Sequence, residues 1–235
     1  MAVEVALTAT NGGTFTVLFS DTGYGGDNGT GTYELYFAQF PGTFVVPAGD
    51  EGGSLVSGVD ALGTIQVGDL DLWRFTACPG DHVTLQLNEL TTTNNFYPWL
   101  RLYGPNGVLI GDGGGGSFAT SEQLTLTVTN GGTFTVLVSD TAYGNVGGTG
   151  TYRLTSNGLS DGLKECLPII SGTNVYLAEV GGGSNVTFVL FTQTNVSAPF
   201  ALWTPLRTNQ FDSFGVFNYT NLFNPAEPQR YFRLH

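Results

Sequence analysis

Apolar and polar residues alternate along much of the chain with a period of two, the signature of strands that bury one face. Leu72 to Phe75, Val83 to Leu87, Leu100 to Tyr103, Leu124 to Val128, Thr133 to Val138 and Thr151 to Leu154 carry this alternation or are rich in β-branched and aromatic residues. Pro79-Gly80-Asp81, Pro105-Asn106-Gly107 and Asn130-Gly131-Gly132 separate them with turn chemistry. No stretch shows a 3.6-residue apolar stripe. The fold class predicted is therefore all-β, with tandem β-sandwich (jelly-roll-like) units and a small C-terminal β domain.

The pattern also repeats at long range. The 29 residues from Leu7 to Leu35 recur without gaps as Leu126 to Leu154, with 22 positions identical. Two segments this similar are expected to encode the same structure. The second copy closes a longer unit, whereas nothing comparable precedes the first. Residues 1–40 thus read as the closing half of a sandwich, 41–49 as a linker and 50–157 as a complete sandwich. A second linker, 158–168, leads to a small β domain over 169–235. In that domain Asn174 to Val180, Asn185 to Thr192, Ala201 to Trp203, Gly215 to Tyr219 and Tyr231 to Leu234 are the expected strands. Its length is marginal for an independent core, so it is expected to pack on a neighbour.

Gly68 to Phe75, Pro79-Gly80-Asp81, Leu100 to Gly107, Gly132 to Val136 and Gly150-Thr151-Tyr152 together resemble the bacterial pre-peptidase C-terminal domain. The resemblance covers one full copy plus the half copy at the start. It implies a small sandwich attached to secreted enzymes and surface proteins, some of which bind calcium or insoluble polymers. The tail, with Leu202-Trp203-Thr204-Pro205 and Gln229 to Leu234, resembles the C-terminal ends of repetitive verrucomicrobial-type surface proteins.

Composition narrows the function. Of 235 residues 41% are hydrophobic and 13% aromatic, which is ample for cores and argues against disorder. The net charge is −12 with only seven Lys and Arg, so a nucleic-acid partner is not expected. Residues 1–160 hold 14 acids against 3 arginines, which places any cation chemistry there. No apolar run is long enough for a helical membrane span, and Met1-Ala-Val-Glu-Val lacks the features of a secretion signal. An exported location is still expected from the composition, with a signal removed or lying upstream.

Asp69 and Asp71 stand two apart on one strand and share a face with Trp73 and Phe75. Asp50 and Glu51 can join them if the upstream segment folds alongside. Carboxylates in that number suit Ca²⁺, which takes six to eight oxygen ligands. In calcium-binding members of the resembled family these positions supply ligands. The other reading is turn capping, with the carboxylates accepting backbone N–H groups. Asp21, Asp27 and Asn28 form a weaker acidic loop, because Val146 replaces Asp27 in the second copy. Cys78 and Cys166, the two cysteines, form a disulfide, pair between chains or stay free; a disulfide would clip the tail to the sandwich.

Catalysis finds little support, since His82 and His235 lie in a turn and at the terminus, and no nucleophile or metalloprotease motif occurs. Gly111-x-Gly113-x-x-Gly116 matches a dinucleotide fingerprint but no helix is expected after it. Tyr97, Trp99 and Trp203 are candidate polymer-binding aromatics or core residues, and four Asn-x-Ser/Thr sequons are present. The expectation is a non-enzymatic extracellular structural protein. It would assemble with itself head to tail by strand complementation into a filament or surface layer, stabilised by Ca²⁺, and touch a cell surface or extracellular polymer. The alternative is a C-terminal binding or secretion appendage of a larger exported hydrolase.

Overall fold

The computed structural model describes residues 4–20, 29–40, 46, 48–91, 96–114, 119–141, 147–159, 164–182, 185–212, 215–222, 224 and 226–235. Asp21, Asp27, Asn28, Gly116 and Val146 lie outside the described residues.

Among the described residues nine strands form a central sandwich: β1 (Gly52–Ser54), β2 (Ala61–Ile65), β3 (Asp71–Ala77), β4 (His82–Glu89), β5 (Pro98–Tyr103), β6 (Leu109–Gly114), β7 (Ser121–Thr127), β8 (Gly132–Asp140) and β9 (Gly150–Asn157). One sheet has the order β1-β3-β8-β5-β6 and the other β2-β9-β4-β7. Every pairing is antiparallel except β1 with β3. The alternation read from the sequence does the packing. In β3 the buried face is Asp71, Trp73, Phe75 and Ala77, and in β4 it is Val83, Leu85 and Leu87. Together with Leu100, Leu102, Phe134, Val136, Val138, Tyr152 and Leu154 they fill the space between the sheets. Burying each large apolar side chain contributes about 1.5–3 kcal/mol.

The tail is a second, smaller pair of sheets. Strands β10 (Lys164–Glu165), β11 (Ile169–Ser171), β12 (Asn174–Val180) and β15 (Phe217–Leu222) form one sheet; β13 (Thr187–Gln193), β14 (Thr204–Gln210) and β16 (Tyr231–Leu234) form the other. Phe188, Leu190, Phe211 and Phe217 make an aromatic core. Two expectations differ here. Residues 200–202 form a 3₁₀ turn after Pro199, held by the Trp203 indole N–H donating to the Ala198 carbonyl at 3.1 Å. Residues 164–165, expected in a linker, pair with β12.

Cys78 and Cys166 are joined by a disulfide with Cα atoms 5.3 Å apart, and the Lys164 ammonium bonds the Asp81 carboxylate beside it. The tail is thereby clipped to the turn before β4, as the disulfide reading expected. Closing a loop of 88 residues contributes about 3–5 kcal/mol in the chain-entropy model.

Residues 4–20 and 29–40 carry no helix or strand. Val5, Leu7, Phe15, Val17, Leu18, Phe19, Tyr33, Leu35 and Phe37 are all exposed. Two side-chain contacts join the described residues of this segment to the central sandwich. The Glu4 carboxylate pairs with the buried Arg101 guanidinium, which also donates to Ser139 Oγ at 2.9 Å. Phe40 stacks on Tyr103 with ring centroids 4.1 Å apart.

Candidate metal centre

Three carboxylates meet at one end of the β1–β3 pair. Asp71 opens β3, Asp69 lies just before it, and Asp50 lies just before β1. Because β1 runs parallel to β3, with Gly52 beside Leu72, the chain ahead of both strands arrives at the same end. Ligand oxygens of Asp50, Asp69 and Asp71 lie within 4.8 Å of one another. Glu51 is half-buried and stands outside this cluster, but its charge acts on Asp69 and Asp71.

Turn capping accounts for two of the three. Asp69 accepts the Leu70 N–H at 2.8 Å and the Gln66 N–H at 3.2 Å, and Asp50 accepts the Glu51 N–H at 3.0 Å. It does not account for Asp71. That residue is fully buried, its Oδ2 accepts the Tyr152 hydroxyl at 2.5 Å, and its Oδ1 has no hydrogen-bond partner. Among the described residues no Lys or Arg forms an ion pair with any of the three.

Such a group strongly resists ionisation. Burial, opposed by the Tyr152 hydrogen bond and reinforced by the charges of Asp69, Asp50 and Glu51, pushes Asp71 up to about 8. Burial likewise raises Asp69, against its two backbone hydrogen bonds. Burial, reinforced by the charge of Asp69, pushes the Tyr36 phenol up to about 12. A divalent cation would reverse these shifts by stabilising the carboxylates. The all-oxygen donor set suits a hard cation such as Ca²⁺ or Mg²⁺.

The support behind Asp71 was not visible in the sequence. The Trp73 indole N–H donates to Tyr152 Oη at 2.9 Å, and Tyr152 in turn donates to Asp71, so a buried chain of donors crosses from one sheet to the other. Gly63 makes room for it. A Cβ at Gly63 would stand 2.3 Å from the Tyr152 hydroxyl. Only the Gly-Thr-Tyr run at 150–152 hinted at a special tyrosine there.

The remaining candidates have other partners. Asp140 accepts the Tyr97 and Gly148 N–H groups, both at 2.8 Å, as a turn residue does. His82 Nδ1 lies 3.0 Å from Thr127 Oγ1, and His235 packs against Phe191 and Phe200. Trp203 is buried, and the Trp99 indole donates to Asp112 at 2.6 Å while Arg101 lies over its ring. Gly111 and Gly113 sit within β6, and β7 follows in place of a helix. Among the described residues no helix is long and apolar enough to cross a membrane.

No family model matches the chain, and no curated protein matches it. Among solved structures it is similar to the pre-peptidase C-terminal domain of a collagenase from Bacillus anthracis. There the identity is 14% and the TM-score 0.37, over 46% of this chain and 96% of that one. It is also similar to a β-1,2-glucanase from Parabacteroides distasonis, with 9% identity and a TM-score of 0.23, over 74% of this chain and 28% of that one.

Proposed function

We propose that the chain is a non-enzymatic structural protein of the bacterial exterior. Its β-sandwich units join head to tail by strand complementation into a filament or surface layer, and Asp50, Asp69 and Asp71 hold a calcium ion that stiffens each complete unit. The observation that carries this reading is the N-terminal closing half: nine large apolar side chains exposed along residues that form no strand where described. A surface of this size invites completion by other strands. Main-chain hydrogen bonds supply affinity in such contacts, and alternate side chains in pockets supply specificity.

Two further features support it. The disulfide between Cys78 and Cys166 suits an oxidising compartment. The orphaned oxygen of Asp71, with two carboxylates beside it, suits a bound cation. The cation would supply charge neutralisation and tie the start of β1 to the start of β3.

Electron microscopy and light scattering of the purified protein test the assembly, with and without a calcium chelator. Polymers that shorten or loosen on chelation are expected. Monomers at every concentration, in either condition, would reject the reading.

A further inference from the structure

Leu100 and Leu102 of β5 lie in the core, so Trp99, Arg101 and Tyr103 project from the opposite face of the sheet, where water is the expected neighbour. That face is nevertheless dry around Arg101. Arg101 is 3% exposed, and Leu137 and Ser139, which share its face on the adjacent β8, are each 2% exposed. A guanidinium taken out of water needs a carboxylate. Glu4 supplies one, accepting from Nη1 and Nη2 together.

The surroundings hold the guanidinium ready for this. Ser139 Oγ accepts from Nη2 at 2.9 Å, and the Trp99 ring lies 3.9 Å from the guanidinium carbon. Asp112 of β6 steadies that ring by accepting its indole N–H at 2.6 Å. Side chains of three neighbouring strands thus build a carboxylate receptor on the outside of the sandwich.

The chain's own Glu4 fills this receptor incompletely. Arg101 Nε is buried and has no hydrogen-bond partner, so one donor is left that the backbone carbonyl of a better-seated segment would satisfy. Val5 and Leu7, next to Glu4, are 80% and 71% exposed. The carboxylate is seated, and the chain that carries it is not. Closure accounts for this. Phe40 stacks on Tyr103, two residues along β5 from Arg101, so residues 4 and 40 are both brought to strand positions about 7 Å apart. A segment tied at both ends of one loop is not free to lie along the strand. The same segment from a second copy keeps the ion pair, escapes the closure and recovers its entropy.

We propose that the outer face of β5 and β8 around Arg101 is the docking surface for the Glu4-bearing segment of a second copy of this chain. The contact within one chain is its closed, unassembled form. Glu4 and Arg101 belong to different surfaces, so the contact between copies runs head to tail and propagates. The docking rests on the filament reading above and names the residues by which one copy recognises the next.

Glu4→Arg and Arg101→Glu, made singly in the full chain, test it. Each sets like charges together at the joint. With both variants folded by circular dichroism, each alone is expected to raise the concentration needed for assembly at least about 10-fold. An equimolar mixture restores an opposite charge at every joint between unlike variants, and is expected to return assembly to within about threefold of the parent. Variants that assemble like the parent, or a mixture no better than its parts, overturn the docking. Should Arg101→Glu fail to fold, Arg101→Lys keeps the cation and adds a reactive amine. Unlabelled and isotope-labelled chains of that variant are unfolded with the disulfide intact, mixed and refolded together, and a carbodiimide then joins Glu4 to the amine. Mass spectrometry is expected to find about half of the peptides that link positions 4 and 101 pairing the two isotopes. Pairs of like isotope alone overturn the proposal. Mixed pairs in a preparation without filaments reject the filament and keep the docking surface, so the two readings fail separately.

Discussion

Residues 7–35 and 126–154 pose one question twice. Both carry Asn-Gly-Gly-Thr-Phe-Thr-Val-Leu, both alternate with period two, and both end in Gly-Thr-Gly-Thr-Tyr. One is the centre of two sheets; the other is strandless in its described residues and exposed. The difference lies outside the segments: β8 and β9 are held by ladders to β2, β3, β4 and β5, and the described residues of the first copy form no ladder. Strand propensity is a preference for a pleated, half-buried surface, and without neighbours there is no such surface to occupy. A local code can be necessary for a strand and still be far from sufficient.

The sharpest way to break this comparison is to make one substitution in both copies. Phe134 is buried and stacks on Phe75 with centroids 5.1 Å apart. Phe134→Asp puts an unpaired charge in the core and is expected to cost about 4 kcal/mol or more, enough to unfold the central unit. Phe15→Asp should leave the denaturation midpoint within about 0.5 kcal/mol of the parent while abolishing assembly. Denaturant titration and particle size read the two effects. A Phe15→Asp variant as unstable as Phe134→Asp would mean that the first copy is folded after all.

The next largest effect concerns the candidate metal centre, where Tyr152 is buried on Asp71 while its counterpart Tyr33 is exposed. Asp71 is held at about 8 in the fold, against about 3.9 for an unfolded aspartate. Between those values the folded, metal-free protein holds a proton that the unfolded chain lacks. Its stability therefore falls as pH rises from about 4 to about 8. Glu179, pushed up to about 7 by burial and by Glu165 across from it, acts in the same direction over a narrower window. Asp71→Asn should remove the part of the slope above pH 7, raise metal-free stability at pH 8 and abolish the calcium response. Calcium should remove the same part of the slope in the parent, with proton release measurable by calorimetry in two buffers. Tyr152→Phe, which removes only the supporting hydroxyl, should weaken calcium binding about 10- to 100-fold. Metal-free stability that stays flat from pH 5 to pH 8 would sink the assignment to Asp71.

How much of this was legible in the sequence follows from which partners are local. The β3, β4 and β9 strands were readable because alternating burial writes itself into each strand, and β5 and β8 because they are rich in apolar residues. β1 and β2 were not, because Gly-Gly-Ser and Ala-Leu-Gly-Thr-Ile are short and glycine-bearing. β14 was missed because its two faces are mostly exposed and its sequence polar. Asp69 and Asp71 could be paired from their spacing alone, and Asp50 from its position upstream. Tyr152 could not be placed on Asp71, since 81 residues separate them and they stand on opposite sheets.

A smaller effect comes from making the second copy resemble the first inside the core. Val138→Phe places the bulk of Phe19 at a fully buried position paired with Asp71 and Leu100. Overpacking of this kind is expected to cost about 1–3 kcal/mol by denaturant titration. No loss would show that the core has room for either side chain.

The smallest effect is expected at the charge that differs between the copies. Arg153 Nη1 lies 3.5 Å from Asp60 Oδ2, with the side chains 45% and 46% exposed. Asp60 also accepts the Thr155 hydroxyl at 2.8 Å, so it stays in place whichever charge stands at 153. Arg153→Glu exchanges a solvated attraction for a solvated repulsion, and should lower stability by less than about 1 kcal/mol, with the difference fading at high salt. If it loses several times more, the repulsion is being felt in a drier place than the exposures indicate.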